Sequence, residues 1–557
     1  MNTTKTNPPN AKRLSIWQLI WRSHRSDFLW SVCFNLVNAI VGVATIALVN
    51  HYLQSQAWAD WYAMPMFALA VLALLLSTLV AQLMLTKLGH RFVFRLRTKL
   101  TKQILDTPVV QLERLGNAKL LASLSTDIQS LTVAFVRLPE LVQGVVLCVS
   151  IAVYLAYLSL PLTLIMIVWV LGIVLVAGWL VRYVYAYLEK LRLKNDKLYQ
   201  YYQSIIDGKE SLKLNRHRAK SLHQDFGKLA NDYRQDIIKA DTYHLSAVNW
   251  SNIMMFASIG LILWLAAQIG IDMAMATTFC LTILFLQTPL LKAIGAYPVL
   301  QSAQVALDKV QSLQLADYTP DFHQTSHQQW QSIDFCQVGY GHLDAQNQPK
   351  FSLQPIDFTL NRGEVVFLIG ANGSGKTTFA KILTGLYTPS EGEILLDGSP
   401  ILDRLSTYQQ MFAAIFSDFY LFDHLLGDGD LPVDDRLVDE WLERLQLHEK
   451  ISIQNHHIDQ LKLSQGQKKR LALLMAIAEN KPILLLDEWA ADQDPVYRRY
   501  FYQHIIPLLK QQGKTLVVIS HDDRYFMAAD RLLMMKNGQL HTLDKQAVMV
   551  SGVDELV

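Results

Sequence analysis

The chain has 557 residues, more than a typical single domain, which predicts at least two domains. Lysine plus arginine number 50 and aspartate plus glutamate number 48, so there is no basic excess of the kind that nucleic-acid-binding proteins usually show. Hydrophobic residues make up 51% and charged residues only 18%, which argues against a wholly soluble chain and against disorder.

Residues 1–26 come before the first apolar run and carry several lysines and arginines. No small-residue cleavage site follows that run, so these residues are not expected to form a cleaved signal peptide. We expect a cytosolic N-terminal segment instead, with an amphipathic helix from Arg13 to Arg25 lying on the inner membrane surface.

Long stretches without a charged side chain follow, all of them before residue 300. A membrane helix needs roughly 20 apolar residues to cross a hydrocarbon core about 30 Å thick. The run at 141–181 is long enough for two crossings, with Ser159-Leu160-Pro161 as the turn between them. The pattern predicts an all-α transmembrane domain at 27–305 with six spans, at about 28–50, 61–86, 134–158, 161–182, 245–269 and 273–297.

Lysines and arginines are concentrated in every second connection between these spans, at 87–119 and 182–244, and are absent from the short loops between. Because basic loops stay in the cytosol, we expect both termini to be cytosolic in a multi-pass protein of the cytoplasmic (inner) membrane.

The two long basic loops have helical spacing, so we expect the spans to continue into the cytosol as helical extensions. Thr107-Pro108 and Gly208 should break these extensions, because proline and glycine disfavour a continuous helix. Each break would leave a short transverse tip, at about 108–116 and 205–212, placed to dock on a cytosolic partner.

The chain becomes polar from about residue 306. Residues 306–331 contain Pro320 and several glutamines and histidines, and we interpret them as an interdomain linker. Residues 332–557 are predicted to form a soluble α/β domain.

A glycine-rich loop in this domain lies between an apolar strand, Val365–Ile369, and a helix-like segment. This order is that of a phosphate loop, in which backbone N–H groups and a helix N-terminus surround phosphate oxygens. Lys376 is expected to reach the β- and γ-phosphates, and the Thr377 hydroxyl to bind Mg²⁺. The predicted nucleotide-binding residues here are Gly370, Ala371, Asn372, Gly373, Ser374, Gly375, Lys376, Thr377 and Thr378.

Two further strands end in side chains suited to phosphate hydrolysis. Four consecutive aliphatic residues lead to Asp487 and Glu488, which is typical of a parallel strand covered on both faces. Asp487 is expected to hold Mg²⁺ and Glu488 to polarise the attacking water. The strand Thr515–Ser520 leads to His521, which should lie at the phosphate edge of the sheet.

The segment Leu463–Arg470 opens a helix and contains Ser464-Gln465-Gly466-Gln467. It resembles the signature of ATP-binding-cassette (ABC) proteins, and the phosphate loop, acidic pair and histidine follow in that family's order and spacing. The resemblance covers roughly 333–540, and the six spans with long inner loops match the layout of the transmembrane half of ABC exporters. It implies a P-loop ATP-binding cassette at 332–557 that uses ATP and Mg²⁺.

The resemblance also implies that two cassettes pair head to tail. Each ATP would then lie between one phosphate loop and the other chain's signature, Ser464 to Gln467, while Asp494 would link the two sites. Since the chain has one cassette and one set of spans, the working unit implied is a homodimer in membrane lipid, without a nucleic-acid partner.

Two positions depart from the family's pattern. Where the usual cassette has a glutamine that contacts Mg²⁺, this chain has Ser417, followed by Asp418, and one of them would have to serve. The aromatic residue that stacks on adenine should lie on the first cassette strand. Strict alignment gives His342 there, but Tyr340 is preferred because a phenol ring stacks better on adenine.

Within the family, the chain most resembles exporters of cyclic peptides and siderophores, the group of the pyoverdine, syringomycin and lasso-peptide microcin exporters. This implies ATP-driven export of a small peptide-like compound by alternating access. A metal–siderophore importer and a lipid flippase are the alternatives on the same fold. The stretches that carry the likeness are Leu485–Pro495, Ile519–Asp523, Leu461–Lys469 and Ile415–Asp423.

Charged side chains near membrane depth mark transport paths or lie at the cytosolic surface. Arg137 and Glu140, at the start of the third span, and Lys292, at the end of the sixth, are therefore candidates for the cargo path, with surface positions as the alternative.

Overall fold

The structure, a computed structural model, describes residues 25–55, 61–322, 329–343, 349–429, 431–459 and 462–545. The helix predicted from Arg13 lies outside these residues except at Arg25. The described residues form two compact units. Residues Gln103–Gly116 belong with the chain from Ala316 onward, and the remaining residues up to Leu315 form the other unit.

Helices account for nearly all of the first unit. In the part of the chain that the structure describes, six helices are long and apolar enough to cross a membrane, as the sequence predicts. The long helices are α1 Arg25–Ser55, α2 Ala63–Asp106, α5 Ile128–Leu158, α6 Leu160–Asp207, α8 Arg216–Ile269 and α9 Met273–Gln311. Of the short helices in this half of the chain, α4 Asn117–Ala122 and α7 Lys209–Leu214 belong to the first unit, whereas α3 Val109–Leu115 and the last turn of α2 belong to the second.

The two predicted tips begin where the chain cannot continue a helix. α2 ends at Asp106, directly before Thr107-Pro108, because proline disfavours helical backbone at the residue before it. α6 ends at Asp207, and Gly208 separates it from α7. The break predicted at Gly208 is confirmed, but the short helix α7 lies at Lys209–Leu214, later than the predicted 205–212, because the residues up to Asp207 still belong to α6.

Two other boundaries differ from those predicted. Leu160 and Pro161 already belong to α6, so Ser159 alone separates α5 from α6. A proline is compatible with this place because the first turn of a helix leaves its N–H groups unpaired. At the other end of the unit, α9 continues to Gln311, past the start of the linker predicted at 306.

Helices α5 and α9 pack along each other and approach closely at Gly144. A Cβ atom added to Gly144 would lie 2.7 Å from the carbonyl oxygen of Pro289 and 2.8 Å from the Cβ of Ala293. Small residues allow membrane helices to approach to van der Waals contact, which is a main source of their association energy.

The second unit is built around β-sheets. Its strands are β1 Ser332–Leu343, β2 Pro349–Asn361, β3 Val365–Ile369, β4 Glu391–Leu396, β5 Ser399–Pro400, β6 Phe412–Ile415, β7 Ile453–Gln454, β8 His457–Ile458, β9 Ile483–Asp487, β10 Thr515–Ile519, β11 Arg531–Lys536 and β12 Gln539–Leu543. Its further α-helices are α10 Lys376–Leu383, α11 Leu405–Gln409, α12 Asp435–Arg444, α13 Gln465–Ala478, α14 Pro495–Tyr500 and α15 Ile506–Gln511.

The strands form two main sheets and a hairpin. One sheet is antiparallel, in the order β2–β1–β4–β5. The other has the order β12–β11–β3–β10–β9–β6, and all of its strands are parallel except β12 at one edge. β7 and β8 make the hairpin.

Hydrophobic cores cover both faces of the parallel sheet. In β3, Val366 and Leu368 face a core shared with the antiparallel sheet, while Val365, Phe367 and Ile369 face a core shared with α12 and α13. This explains the uninterrupted aliphatic runs of β3, β9 and β10, since a strand buried on both faces has no polar side. The predicted fold class, a six-span helical domain followed by an α/β domain, is confirmed.

We predict that Gly144→Ala lowers stability by about 1–3 kcal/mol, because the added methyl group must push α5 away from α9. The measurement is the thermal unfolding midpoint of the purified protein in detergent. Gly172→Ala on α6 is the matched control, since a Cβ atom there meets nothing within 4 Å. Equal midpoints for the two variants would contradict the close crossing.

Candidate nucleotide-binding site

The predicted phosphate loop, residues 370–375, joins the end of β3 to the start of α10. Gly370, Gly373 and Gly375 have φ angles of 145°, 80° and 110°, a region that side chains disfavour. Gly370 also lies so close to the carbonyl oxygen of Met535 that a Cβ atom would have no room. The loop therefore depends on glycine both for its backbone angles and for its fit against β11.

Lys376 lies in the first turn of α10 and is 6% exposed. Its Nζ donates to the carbonyl oxygens of Gly370, at 2.9 Å, and Ala371, at 3.1 Å. Burial lowers the pKa of this ammonium group, and the carboxylates of Glu488 and Asp487 oppose the shift. Within the described residues, the hydrogen bonds of this cation go to carbonyl oxygens of the loop, and two acids lie near it.

Another side chain of the loop fits the same interpretation. The Ser374 hydroxyl is buried and has no hydrogen-bond partner among the described residues. A buried hydroxyl without a partner costs free energy, and phosphate oxygens bound in the loop would supply the missing acceptor. These residues fit a nucleoside triphosphate.

Asp487 is the last residue of β9 and is 2% exposed. It accepts a hydrogen bond from the Thr377 hydroxyl, with an Oγ1–Oδ2 distance of 3.1 Å. Burial raises the pKa of the Asp487 carboxyl, and the Thr377 hydrogen bond opposes that rise. A carboxylate and a hydroxyl in contact are hard oxygen ligands, so this pair fits the predicted Mg²⁺ site.

Glu488 and His521 meet because β9 and β10 are parallel neighbours, with Asp487 opposite Ile519. His521 Nε2 lies 3.1 Å from Glu488 Oε1, and both side chains are partly exposed. Glu488 has φ 50° and ψ 34°, a left-handed conformation that costs a residue with a side chain roughly 1–2 kcal/mol. A carboxylate held beside an imidazole at an open sheet edge has the chemistry of a general base for an attacking water.

Ser417 and Asp418 follow the end of β6, which pairs with β9, and both are exposed. The fold thus brings them to the same sheet edge as Asp487. Their contact with Mg²⁺ stays a prediction.

Tyr340 is preferred to His342 on sequence as the residue that stacks on adenine, but its surroundings in the structure do not favour that role. Tyr340 is 6% exposed, and its ring stacks on Tyr387 with 5.1 Å between centroids. This burial argues against the role predicted for Tyr340, because the ring has little free face for a base. The preference for Tyr340 rests on its aromatic ring alone, and the sequence does not reveal that Tyr387 covers that ring. The side chain of His342 lies outside the described part of the structure.

The signature residues begin α13. The Ser464 hydroxyl accepts from the backbone N–H of Gln467, and the Gln467 side chain accepts from the N–H of Ser464, which makes a capping box. Ser464 and Gln465 are exposed, while Gly466 is half-buried. Within the described residues, no hydrogen bond joins the signature to the phosphate loop of its own chain. The signature is therefore a preformed helix end on the surface of the second unit.

The loop at 489–494 packs against this helix. Gln493 donates to the carbonyl oxygen of Gly466 at 3.0 Å and accepts from Nε of Arg470 at 2.8 Å. Asp494 caps α14 by accepting from the N–H of Tyr497 and pairs with Arg470 at 3.0 Å. The hydrogen bond from Tyr497 and the Arg470 charge hold the pKa of the Asp494 carboxyl below its usual range. The resemblance points to Asp494, but not to the contacts that Gln493 and Arg470 make around it.

The tip helix α3 contributes contacts that the sequence analysis did not include. Glu113 accepts hydrogen bonds from Lys381 Nζ, at 2.7 Å, and from the Tyr387 hydroxyl. Burial and the neighbouring Glu113 raise the pKa of the Tyr387 hydroxyl. Val109 and Val110 pack on the core between the two sheets. The first predicted tip therefore docks beside the helix that follows the phosphate loop.

The cargo-path candidates are surface-accessible in the described chain. Arg137 and Glu140 form an ion pair with each other at 2.8 Å, and Lys292 is exposed. Their role in transport stays a prediction.

We predict that Lys376→Ala lowers nucleotide affinity by tenfold or more, since charge-assisted hydrogen bonds to phosphate, worth about 1.5–3 kcal/mol each, are lost. The measurement is equilibrium binding of a fluorescent ATP analogue. Lys381→Ala, five residues further along the same helix, is the control and should bind as the unchanged protein does. Unchanged affinity of Lys376→Ala would contradict its contact with phosphate.

We also predict that Glu113→Gln weakens the docking of α3, because a neutral amide replaces the charged partner of Lys381. Nucleotide binding should stay the same, while the stimulation of ATP hydrolysis by cargo should fall severalfold. Glu210→Gln, on the other tip helix α7, is the control. It shows whether any such substitution in a tip helix lowers the stimulation of ATP hydrolysis by cargo. Full stimulation in Glu113→Gln would show that this contact does not couple the tip to hydrolysis.

Two family profiles match the chain. The one described as ABC transporter covers residues 353–491, and the one described as ABC transporter transmembrane region covers residues 27–290. The chain is 33% identical over 559 residues to the ATP-binding protein SyrD of Pseudomonas syringae pv. syringae, which covers 95% of this chain and 96% of SyrD. It is 30% identical over 220 residues to the ATP-dependent lipid A-core flippase of Bordetella avium (strain 197N), which covers 37% of this chain and 36% of the flippase. The chain therefore belongs to the ABC transporter family, as an exporter-type half transporter that binds ATP and couples its hydrolysis to transport.

Proposed function

We propose that this protein exports a small peptide-like compound, such as a cyclic or lasso peptide or a peptidic siderophore, across the cytoplasmic membrane. The observation that carries the choice of cargo is the resemblance of Leu485–Pro495 and Ile415–Asp423 to exporters of cyclic peptides and siderophores. The 33% identity to the ATP-binding protein SyrD supports an exporter of this layout, since it extends over 95% of the chain and so includes the transmembrane region. The similarity to the lipid A-core flippase covers only 37% of the chain. The part of an exporter that meets cargo is its transmembrane region, so the longer match weighs more.

ATP hydrolysis follows from the sheet edge described above. Lys376 and the N–H groups of residues 373–378 would bind the β- and γ-phosphate oxygens. Glu488 would take a proton from the attacking water, and His521, at 3.1 Å, would orient the carboxylate. Thr377 and Asp487 would hold Mg²⁺, which supplies positive charge beside the phosphates.

We further propose that the working unit is a homodimer with two shared ATP sites. The exposed Ser464 accepts a hydrogen bond from Gln467, so its hydroxyl proton is still available to a phosphate oxygen. The N-terminus of α13 adds partial positive charge at the same place. Both features suit a partner's nucleotide, with Gln465, Gly466 and Asp494 beside it.

In this proposal the cassettes and both termini are cytosolic, as expected for ABC exporters. ATP binding would draw the cassettes together and open the cavity outward, and hydrolysis would reset it, in the manner of alternating access. Arg137, Glu140 and Lys292 are proposed as candidate contacts at the cytosolic entrance. Membrane lipid surrounds the six helices.

The proposal predicts ATP-dependent uptake of a labelled lasso or cyclic peptide by inside-out membrane vesicles that contain the protein. The matched control is Glu488→Gln, which keeps the shape of the side chain but removes the base. That variant should bind ATP normally, lose about 10²–10⁴-fold in hydrolysis and show no uptake.

Two results would count against the proposal in different ways. Full hydrolysis by Glu488→Gln would contradict the assignment of the base. Normal ATP hydrolysis without peptide uptake, together with stimulation by a lipid A-type lipid, would contradict peptide cargo and favour lipid transport instead.

A further inference from the structure

A buried lysine lies behind the proposed base, on the helix that carries the signature. Lys469 is 3% exposed, although lysine is among the residue types that are most rarely buried. Its Nζ donates to the backbone carbonyl oxygen of Glu488 at 2.6 Å and pairs with Asp492 Oδ2 at 2.7 Å. Removing an ammonium group from water is unfavourable unless its hydrogen bonds are replaced, and here the peptide of Glu488 is one of the replacements.

The contact is reciprocal, since Trp489 holds Lys469 in return. Trp489 is 1% exposed, and its Nε1 donates to the backbone carbonyl oxygen of Lys469 at 2.6 Å. Its ring stacks on Phe501 at 4.3 Å between centroids, which anchors it in the core. Two consecutive residues, Glu488 and Trp489, are thus bound to one residue of α13, so the turn between them cannot rotate without breaking both hydrogen bonds.

This arrangement determines the direction of the Glu488 side chain. Glu488 has a left-handed backbone, with φ 50° and ψ 34°. Its N–H donates to the carbonyl oxygen of Ile519 at 3.0 Å, and its carbonyl oxygen accepts from Lys469. The peptide groups on both sides of its Cα are therefore fixed, which fixes the bond from Cα to Cβ and places the carboxylate beside His521.

We propose that Lys469 is a positioning residue for ATP hydrolysis, which holds the strained turn at Glu488 in place and connects it to the signature helix. The inference rests on the proposed role of Glu488 as the base. Lys469 does not touch the nucleotide in this account; it acts through the Glu488 peptide. A displacement of about 1 Å at a reacting group can cost two orders of magnitude in rate, so the expected effect is on turnover and not on binding.

The test uses the full-length protein in lipid and the variant Lys469→Met. Methionine has a side chain of nearly the same length as lysine but carries no charge. The number of sites that bind a fluorescent ATP analogue gives the folded fraction, and the turnover is calculated per site. We expect kcat per site to fall about 10–100-fold, with nucleotide affinity within about twofold of the unchanged protein. Lys468→Met, on the neighbouring residue of α13, is the matched control and should keep its turnover.

A second variant tests the same contact without changing a buried side chain, in case Lys469→Met does not fold. Asp492 has a side chain that is 44% exposed, so Asp492→Asn leaves the buried core intact. It removes one partner of Lys469 but leaves the hydrogen bond to Glu488, so kcat per site should fall by less than in Lys469→Met. A turnover per site within about twofold of the unchanged protein in Lys469→Met, or no fall in Asp492→Asn, would overturn the inference.

A double substitution separates positioning from general stabilisation. If Lys469 acts through the Glu488 carboxylate, Lys469→Met should not reduce the residual single-turnover rate of Glu488→Gln any further. A further reduction by the same factor as in the unchanged background would overturn the inference. Full activity of Glu488→Gln alone would instead refute the proposed base, whatever the result for Lys469.

Discussion

The parallel order of β3, β10, β9 and β6 is the constraint on which the site depends. Parallel strands end at the same edge of a sheet, so segments far apart in the chain meet there. The phosphate loop follows β3, His521 lies beyond β10, Glu488 follows β9 and Ser417 lies beyond β6. Hydrophobic cores on both faces hold these strands in register, and the residues of the proposed site lie at the edge where the strands end.

Helix α13 connects this edge to the surface of the cassette. Its first turn presents Ser464 to solvent, and little more than one turn later Lys469 is buried against the peptide of Glu488. At a rise of about 1.5 Å per residue, the five positions from Ser464 to Lys469 span only roughly 8 Å along the helix axis. In the proposed dimer, the helix that touches the partner's nucleotide therefore also holds the base of its own site, which gives a physical route by which one site could sense the other.

Much of this architecture is predictable from sequence because it follows from local chemistry. The apolar runs, the break at Thr107-Pro108 and the strand–loop–helix order around Lys376 each depend on neighbouring residues. The burial of Lys469 and of Tyr340 does not follow from neighbouring residues. Lys469 has the sequence context of a surface lysine, and only the fold of the 489–494 loop onto α13 buries it.

Contacts over long sequence separation are the other part that sequence could not supply. Glu113 and Lys381 are 268 positions apart and meet because α3 and α10 both belong to the second unit and lie side by side there. Tyr387 reaches both Glu113 and the ring of Tyr340, which removes the free aromatic face that an adenine would need. No pattern within either segment indicates these pairings, since each depends on the complete fold.

In the proposed dimer, two copies of this chain complete each ATP site. The most direct measurement is cross-linking between Asn372→Cys, in the phosphate loop, and Ser464→Cys, in the signature, with the four natural cysteines replaced by alanine. In the Glu488→Gln background with ATP, a short bifunctional reagent should link two chains into a dimer, and without ATP the yield should fall. The cysteine variant must first be shown to hydrolyse ATP while Glu488 is still present. If the reagent then links residues only within single chains, the shared site is contradicted.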